Sequence, residues 1–485
     1  MGGFATRRGY LALSLASACS AKPTAAPLSP VRSAATAPEA GSVPAAAPTA
    51  GTPFYVGPAD FVGVTASIDL PAPPSGRSLV FITPALGTRS SRPRRGLEGE
   101  DLAVRIAVEA STGAGSSTTG HPLPAPRHLT VAAATPHPTR PAEGLAAQRN
   151  FKIYARATRT FVDATGALAY VGARYAFYED AKNQKNFTPE EYATIDARAD
   201  DDYGALVDVF GPPLDLHHNG RVVVFVSRTF AGSHPTAQAS TGYCSPDDTE
   251  IGCDLLSNVI SFWSLDGFAD AEARRDFYVR HYYPRTLLHE TIHLCQYQAA
   301  VDHRHVSFSA PSYLREGQAM LMRFIRPHDD IDWAELSSLV NRLGPEGTPL
   351  GSPYAMGGLF AWWMHQRYGP SVERALMNAE ADEDLVDPVA EATGTPEPLA
   401  LAEFYATLSL DGTAYGHESG LEFGVEHIGA QIRHVPLEPV HVGETREATV
   451  VATGRAAFEV DHQEAVRLTA ETFPGKAYVL VLSPR

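Results

Sequence analysis

Leu287-Leu288-His289-Glu290-Thr291-Ile292-His293-Leu294 is the stretch on which the reading of this chain turns. Apolar residues recur around it at helical spacing, and no Gly or Pro interrupts it after Pro284, so the pattern predicts a helix. His289 and His293 are four residues apart and share one helical face, which lets both imidazoles reach a single ion. Zn²⁺ prefers neutral imidazole nitrogen, and two histidines at this spacing make half of a tetrahedral site. Glu290 sits beside a ligand and is placed to take a proton from a water held at the open position. A third protein ligand is required downstream. Ser312-Tyr313-Leu314-Arg315-Glu316-Gly317-Gln318-Ala319-Met320 offers Glu316, 23 positions after His293, on a second predicted helix.

An aromatic residue, Leu, any residue, Glu, Gly, any residue and Ala, placed after H-E-x-x-H, resembles the gluzincins, the thermolysin-like clan whose third ligand is a Glu. The resemblance implies His289, His293 and Glu316 as metal ligands, Glu290 as general base and Zn²⁺ as cofactor. The metzincin pattern does not fit: Gln296 stands where its Gly belongs, and no third His follows at the required place. Within the clan the surroundings resemble the hyicolysin family of secreted bacterial peptidases. The residues that carry this are the Asn219-Gly220 turn into a hydrophobic strand, Gly242-Tyr243, and Ser257-Asn258 before a strand ending in Asp266. Tyr354-Ala355-Met356-Gly357-Gly358-Leu359-Phe360 and Tyr368-Gly369 follow downstream. The likeness covers about residues 151–430. Arg315, where Asn or Asp is commoner, and Gln318, in place of a usual apolar residue, depart from the family pattern. Tyr354, at the start of a helix after the third ligand, is the candidate oxyanion donor; a packing tyrosine is the alternative.

The N-terminus reads as an export signal. Arg7 and Arg8 precede a short apolar run, and Leu15-Ala16-Ser17-Ala18-Cys19 resembles a lipobox, which implies acylation at Cys19. Residues 20–53 are Ala, Pro, Ser, Thr and Gly with hardly any large apolar side chain, the composition of a disordered tether. Cys244 and Cys253 flank one loop and form a plausible disulfide in an oxidising compartment, whereas Cys295 reads as a buried thiol.

The whole chain has 485 residues, a net charge of −16 and 44 % hydrophobic residues. The acidic balance argues against a nucleic-acid partner. No apolar run after the N-terminus approaches the roughly 18 residues of a membrane span. Short β-like runs, clearest at 78–82 and 102–108, mark an N-terminal β-rich module over 54–150, and similar runs mark a C-terminal one over 436–485. Between them, Thr188, Pro189 and Glu191 form a capping box that opens a helix ending at Gly211-Pro212-Pro213.

The expectation is therefore an α+β chain: a signal with lipobox (1–19), a tether (20–53), and a gluzincin-type catalytic domain (151–435) of twisted sheet and active-site helices. Small all-β modules flank that domain. The expected function is that of an exported zinc metalloendopeptidase acting on peptide or protein substrates, touching a membrane only through the lipid anchor. The alternative is a non-enzymatic surface lipoprotein that retains the peptidase scaffold; a zinc hydrolase of non-peptide bonds is a second.

Overall fold

A computed structural model of the protein describes residues 52–85, 102–112, 118, 120–125, 144–155, 160–213, 215, 220–228, 237–240, 259–265, 271–302, 312–326, 355–380, 387–410, 423, 437–450, 455–473 and 475–483. The expected signal with Cys19 (1–19), nearly all of the expected tether (20–53), Cys244, Cys253 and Tyr354 lie outside these residues.

In chain order the strands are β1 (Phe54–Val56), β2 (Thr65–Leu70), β3 (Arg77–Pro84), β4 (Leu102–Ala110), β5 (His121–Pro122), β6 (Gln148–Ala155), β7 (Thr160–Val171) and β8 (Tyr175–Asp180). They continue as β9 (Val222–Ser227), β10 (Ala237–Ser240), β11 (Val259–Trp263), β12 (Glu438–His441), β13 (Thr445–Val450), β14 (Ala456–Asp461), β15 (Val466–Phe473) and β16 (Ala477–Leu482). The α-helices of six residues or more among the described residues are α1 (Pro189–Phe210), α2 (Tyr283–Asp302), α3 (Ser312–Met320), α4 (Ala355–Tyr368), α5 (Ser371–Glu380), α6 (Pro388–Thr393) and α7 (Glu397–Leu410). The chain is mixed α+β, as its patterning predicts. Among the described residues no helix is long and apolar enough to cross a membrane.

The two ends of the chain build one structure rather than two flanking modules. One sheet runs β12-β14-β3-β16-β1-β5 and a second runs β13-β4-β15-β2, so strands from 54–150 and from 436–485 are interleaved in both. Strand β3 pairs with β14 on one side and β16 on the other. The facing sheets enclose Ile68, Val80, Ile82, Val104, Ile106, Phe458, Leu468, Val479 and Val481. On the opposite face of the first sheet, Leu79, Phe81, Leu480 and Leu482 join the helical core with Phe404 and Leu408 of α7. A sheet covered on both sides needs continuous apolar strands, which explains the uninterrupted run Leu79-Val80-Phe81-Ile82.

The remaining sheet, β10-β11-β9-β8-β7-β6, is mixed: β8, β9 and β11 are parallel and the rest antiparallel. Helix α1 is the crossover between β8 and β9. Its capping box is made: Glu191 N–H donates to Thr188 Oγ1 (3.2 Å) and Thr188 N–H to Glu191 Oε2 (2.7 Å). Phe187 packs on Tyr192 as the accompanying staple, ring centroids 5.3 Å apart. Arg275, just ahead of α2, donates to both oxygens of the same Glu191 (2.5 and 2.8 Å), tying the lead-in of α2 to the start of α1. Strand β7 gives little signal in the sequence. Its Gly166 lies under Phe151 and Phe225, where a Cβ would come within 2.8 Å of each ring, and the gap lets those rings stack at 4.2 Å.

Where the first sheet meets α7, Arg455 is wholly buried, and its guanidinium carbon lies 5.2 Å from the Tyr405 ring centroid. None of its three guanidinium nitrogens has a hydrogen-bond partner among the described residues. Burial lowers its pKa to about 10, which still leaves the group charged at neutral pH. A buried charge without hydrogen bonds is costly, and an apolar side chain of similar volume removes that cost. Arg455→Met is expected to stabilise the protein by about 1–4 kcal/mol in denaturant unfolding. A clear loss of stability would mean that the guanidinium has a counter-charge.

Candidate metal centre

Helix α2 presents three different sides. Leu287 and Leu294 enter the core against the mixed sheet. Leu288, Ile292, Cys295 and Ala299 enter the helical core; Cys295 is a buried free thiol, as expected from the sequence. The third side carries His289 and His293, one turn apart, with ring centroids 4.9 Å from one another and planes at 87°. Thr291, between them, donates its hydroxyl to Leu287 O (2.7 Å) and lies 3.1 Å from the Tyr175 hydroxyl, which pins α2 to β8.

Helix α3 brings Glu316 to the same place. Its Oε2 lies 3.4 Å from His289 Nε2 and 3.3 Å from His293 Nε2. Its other oxygen, Oε1, lies 3.7 Å from the guanidinium of Arg315, so the residue that departs from the family pattern pairs with the far side of the carboxylate. The short reach of Glu316 depends on its neighbour. Gly317 lies against Gly357 of α4: a Cβ at 317 would come within 2.4 Å of Gly357 O, and one at 357 within 2.4 Å of Tyr313 O. The two glycines let α3 and α4 touch backbone to backbone.

His289, His293 and Glu316 are the one group of three potential ligands found among the described residues, with ligand atoms all within 4.8 Å of one another. A tetrahedral ion with arms of about 2.0–2.1 Å needs ligand atoms about 3.3–3.4 Å apart, close to both measured separations. Two imidazoles and a carboxylate are a donor set suited to such an ion, and three protein ligands leave a fourth position for water or substrate.

The electrostatics agree with that chemistry. Burial opposes the charged form of Glu316, but the two imidazoles outweigh it and hold the carboxyl far below its ordinary range. Burial likewise opposes a charged His293, and the Glu316 carboxylate outweighs it, raising the imidazole pKa. Binding of a dication requires neutral His293, so affinity falls as acid protonates it.

Glu290 is buried, one residue after His289. Tyr282, in the π-helical turn Tyr278–Tyr282 that leads into α2, has its phenol pushed up to about 12, first by burial and then by the Glu290 charge. Sequence reasoning did not single out Tyr282; an aromatic immediately ahead of a helix carries no distinctive spacing. It also passed over the role of Gln296, whose Oε1 lies 2.8 Å from His293 Nδ1.

No family model matches this chain, and no curated protein is similar to it at a significant level.

Proposed function

We propose that the protein is an exported zinc metalloendopeptidase of gluzincin type, resembling the hyicolysin family. The observation that carries this reading is the triangle of His289 Nε2, His293 Nε2 and Glu316 Oε2, with Glu290 next in sequence to His289 and near enough for its charge to act on His293. Zinc held there supplies Lewis acidity toward a carbonyl and toward water. Glu290 takes the proton of the attacking water and returns it to the leaving amine, so one carboxylate serves both halves of the hydrolysis. Arg315 and Gln296 hold two of the ligands in orientation from behind.

A peptide substrate is supported over other bonds by the mixed sheet on which α2 packs. Among the described residues, strand β10 pairs with β11 on one side, ends the sheet order on the other, and contacts α2. An extended chain laid against such an edge gains main-chain hydrogen bonds irrespective of its sequence. The basic start, short apolar run and Cys19 support export with a lipid anchor.

The test is hydrolysis of a broad peptide library by purified protein, before and after chelation and after zinc is restored. Cleavage that is lost with chelator and regained with zinc supports the reading. A protein that holds zinc yet cleaves nothing fits the non-enzymatic scaffold instead, and one that holds no zinc sinks the metal centre.

A further inference from the structure

Behind His293 runs a chain of buried side-chain amides. Gln296 Oε1 lies 2.8 Å from His293 Nδ1. Gln296 Nε2 lies 3.0 Å from the carbonyl oxygen of Arg315 and 2.9 Å from Gln318 Oε1. Gln318 Nε2 lies 3.1 Å from both the carbonyl oxygen and Oε2 of Glu373, in the first turn of α5. Gln296, Gln318 and Glu373 are 1 %, 0 % and 0 % exposed, so water does not reach in to replace a missing partner.

The polarity of this chain follows from its two backbone ends. A carbonyl oxygen only accepts, so Arg315 O requires the NH₂ of Gln296, and Glu373 O requires the NH₂ of Gln318. The amide oxygen of Gln296 is then the atom facing His293, and an oxygen there requires the proton on Nδ1. A neutral imidazole carries one N–H, so the lone pair falls on Nε2, the atom that faces Glu316 Oε2. Burial raises the Glu373 carboxyl to about 8, against the opposing hydrogen bond from Gln318, so at neutral pH a neutral acceptor at this position serves as well as a charged one.

We propose that Gln296, Gln318 and Glu373 form a one-way hydrogen-bond relay that holds His293 as its Nδ1–H tautomer and so aims Nε2 at the metal. The inference rests on the zinc reading of the centre. Partners behind a ligating histidine fix its tautomer and ring orientation, and losing one costs about 10–100-fold in metal affinity. Here that support spans three helices and ends at Glu373, two amide side chains removed from His293 along the chain of hydrogen bonds. If Gln318 acted only as helix packing, a leucine of similar volume would serve, and leucine fits the family's usual apolar residue at this position.

The experiment uses the full chain with two readouts: zinc affinity by competition with a chromophoric chelator, and the His293 tautomer by nitrogen NMR of the metal-free protein at alkaline pH. Wild type is expected to show the proton on Nδ1 alone. Gln318→Leu is expected to fold, to populate both tautomers and to bind zinc 10–100-fold more weakly. Glu373→Gln keeps an acceptor for Gln318 and should bind zinc close to wild type. Unchanged affinity and tautomer in a folded Gln318→Leu would overturn the relay. If that variant does not fold, Gln296→Met removes the acceptor at His293 directly and is judged by the same two outcomes. A wild-type His293 with its proton on Nε2 overturns the proposal whatever the variants do. If wild type binds no zinc, the metal reading fails separately, and the tautomer still decides the relay.

Discussion

Glu290→Gln is expected to keep full zinc content and an unchanged fold while losing about 10²–10⁴-fold in peptide hydrolysis, the usual worth of general-base assistance. That corresponds to roughly 3–5 kcal/mol of barrier. The substitution preserves volume and hydrogen-bonding capacity at a buried position, so a collapse of the helix does not explain the loss. It removes only the ability to hold a proton in transit. Glu290 is not one of the three residues whose ligand atoms cluster, so zinc content should not follow activity down. Rates are compared at matched zinc occupancy. A variant that cleaves as fast as wild type would remove Glu290 from the chemistry, and one that loses its zinc would make it a structural partner of the centre.

The second large effect is expected from one methyl group. Gly317→Ala places a Cβ 2.4 Å from Gly357 O and 2.6 Å from its carbonyl carbon, and neither is the end of a flexible side chain. Helices α3 and α4 must separate, and Glu316, the preceding residue, moves with α3. Overpacking of this kind costs about 1–3 kcal/mol and occasionally more; backbone against backbone belongs at the upper end. Zinc affinity should fall in the same variant although all three ligands are present. The control is Gly204→Ala, in the exposed middle of α1, where a Cβ meets nothing within 4 Å. There the same change is expected to stabilise by about 0.5–1 kcal/mol through helix propensity. Denaturant unfolding measures both. Equal shifts at the two glycines would show that α3 and α4 do not depend on the close approach.

What was legible in the sequence was written over short distances. His289, Glu290 and His293 lie within five residues, and a helix of 3.6 residues per turn puts the two histidines on one face without help from the rest of the chain. The capping box at Thr188 and Glu191 and the stop at Gly211 are local in the same sense. Glu316 was reachable because the Glu-Gly pair lies within a second helix at a recognisable spacing after His293. The need for the glycine came from α4, 40 residues later, where Gly357 meets it.

Other features depended on contacts between residues far apart in the chain. The patterns of 54–150 and 436–485 each read as strands, but pairing such as Phe81 with Ala457 and Leu480 makes one pair of sheets out of both ends. Strand β7 carries Gly166 because two aromatic rings need the space, not because the residue favours a strand. Gln296, Gln318 and Glu373 have no common spacing; only the packing of α2, α3 and α5 brings their polar atoms together. Helical and alternating patterns report which face of an element is buried. They do not report which element covers it, because burial rewards any apolar partner, while hydrogen bonds and backbone contacts require one particular neighbour. The sequence by itself therefore determined most of the helices and strands, though not β7, and a set of residue types suited to a metal. The tertiary structure decided how the two chain ends share their sheets, why a glycine follows Glu316, and which atom of His293 faces the Glu316 carboxylate.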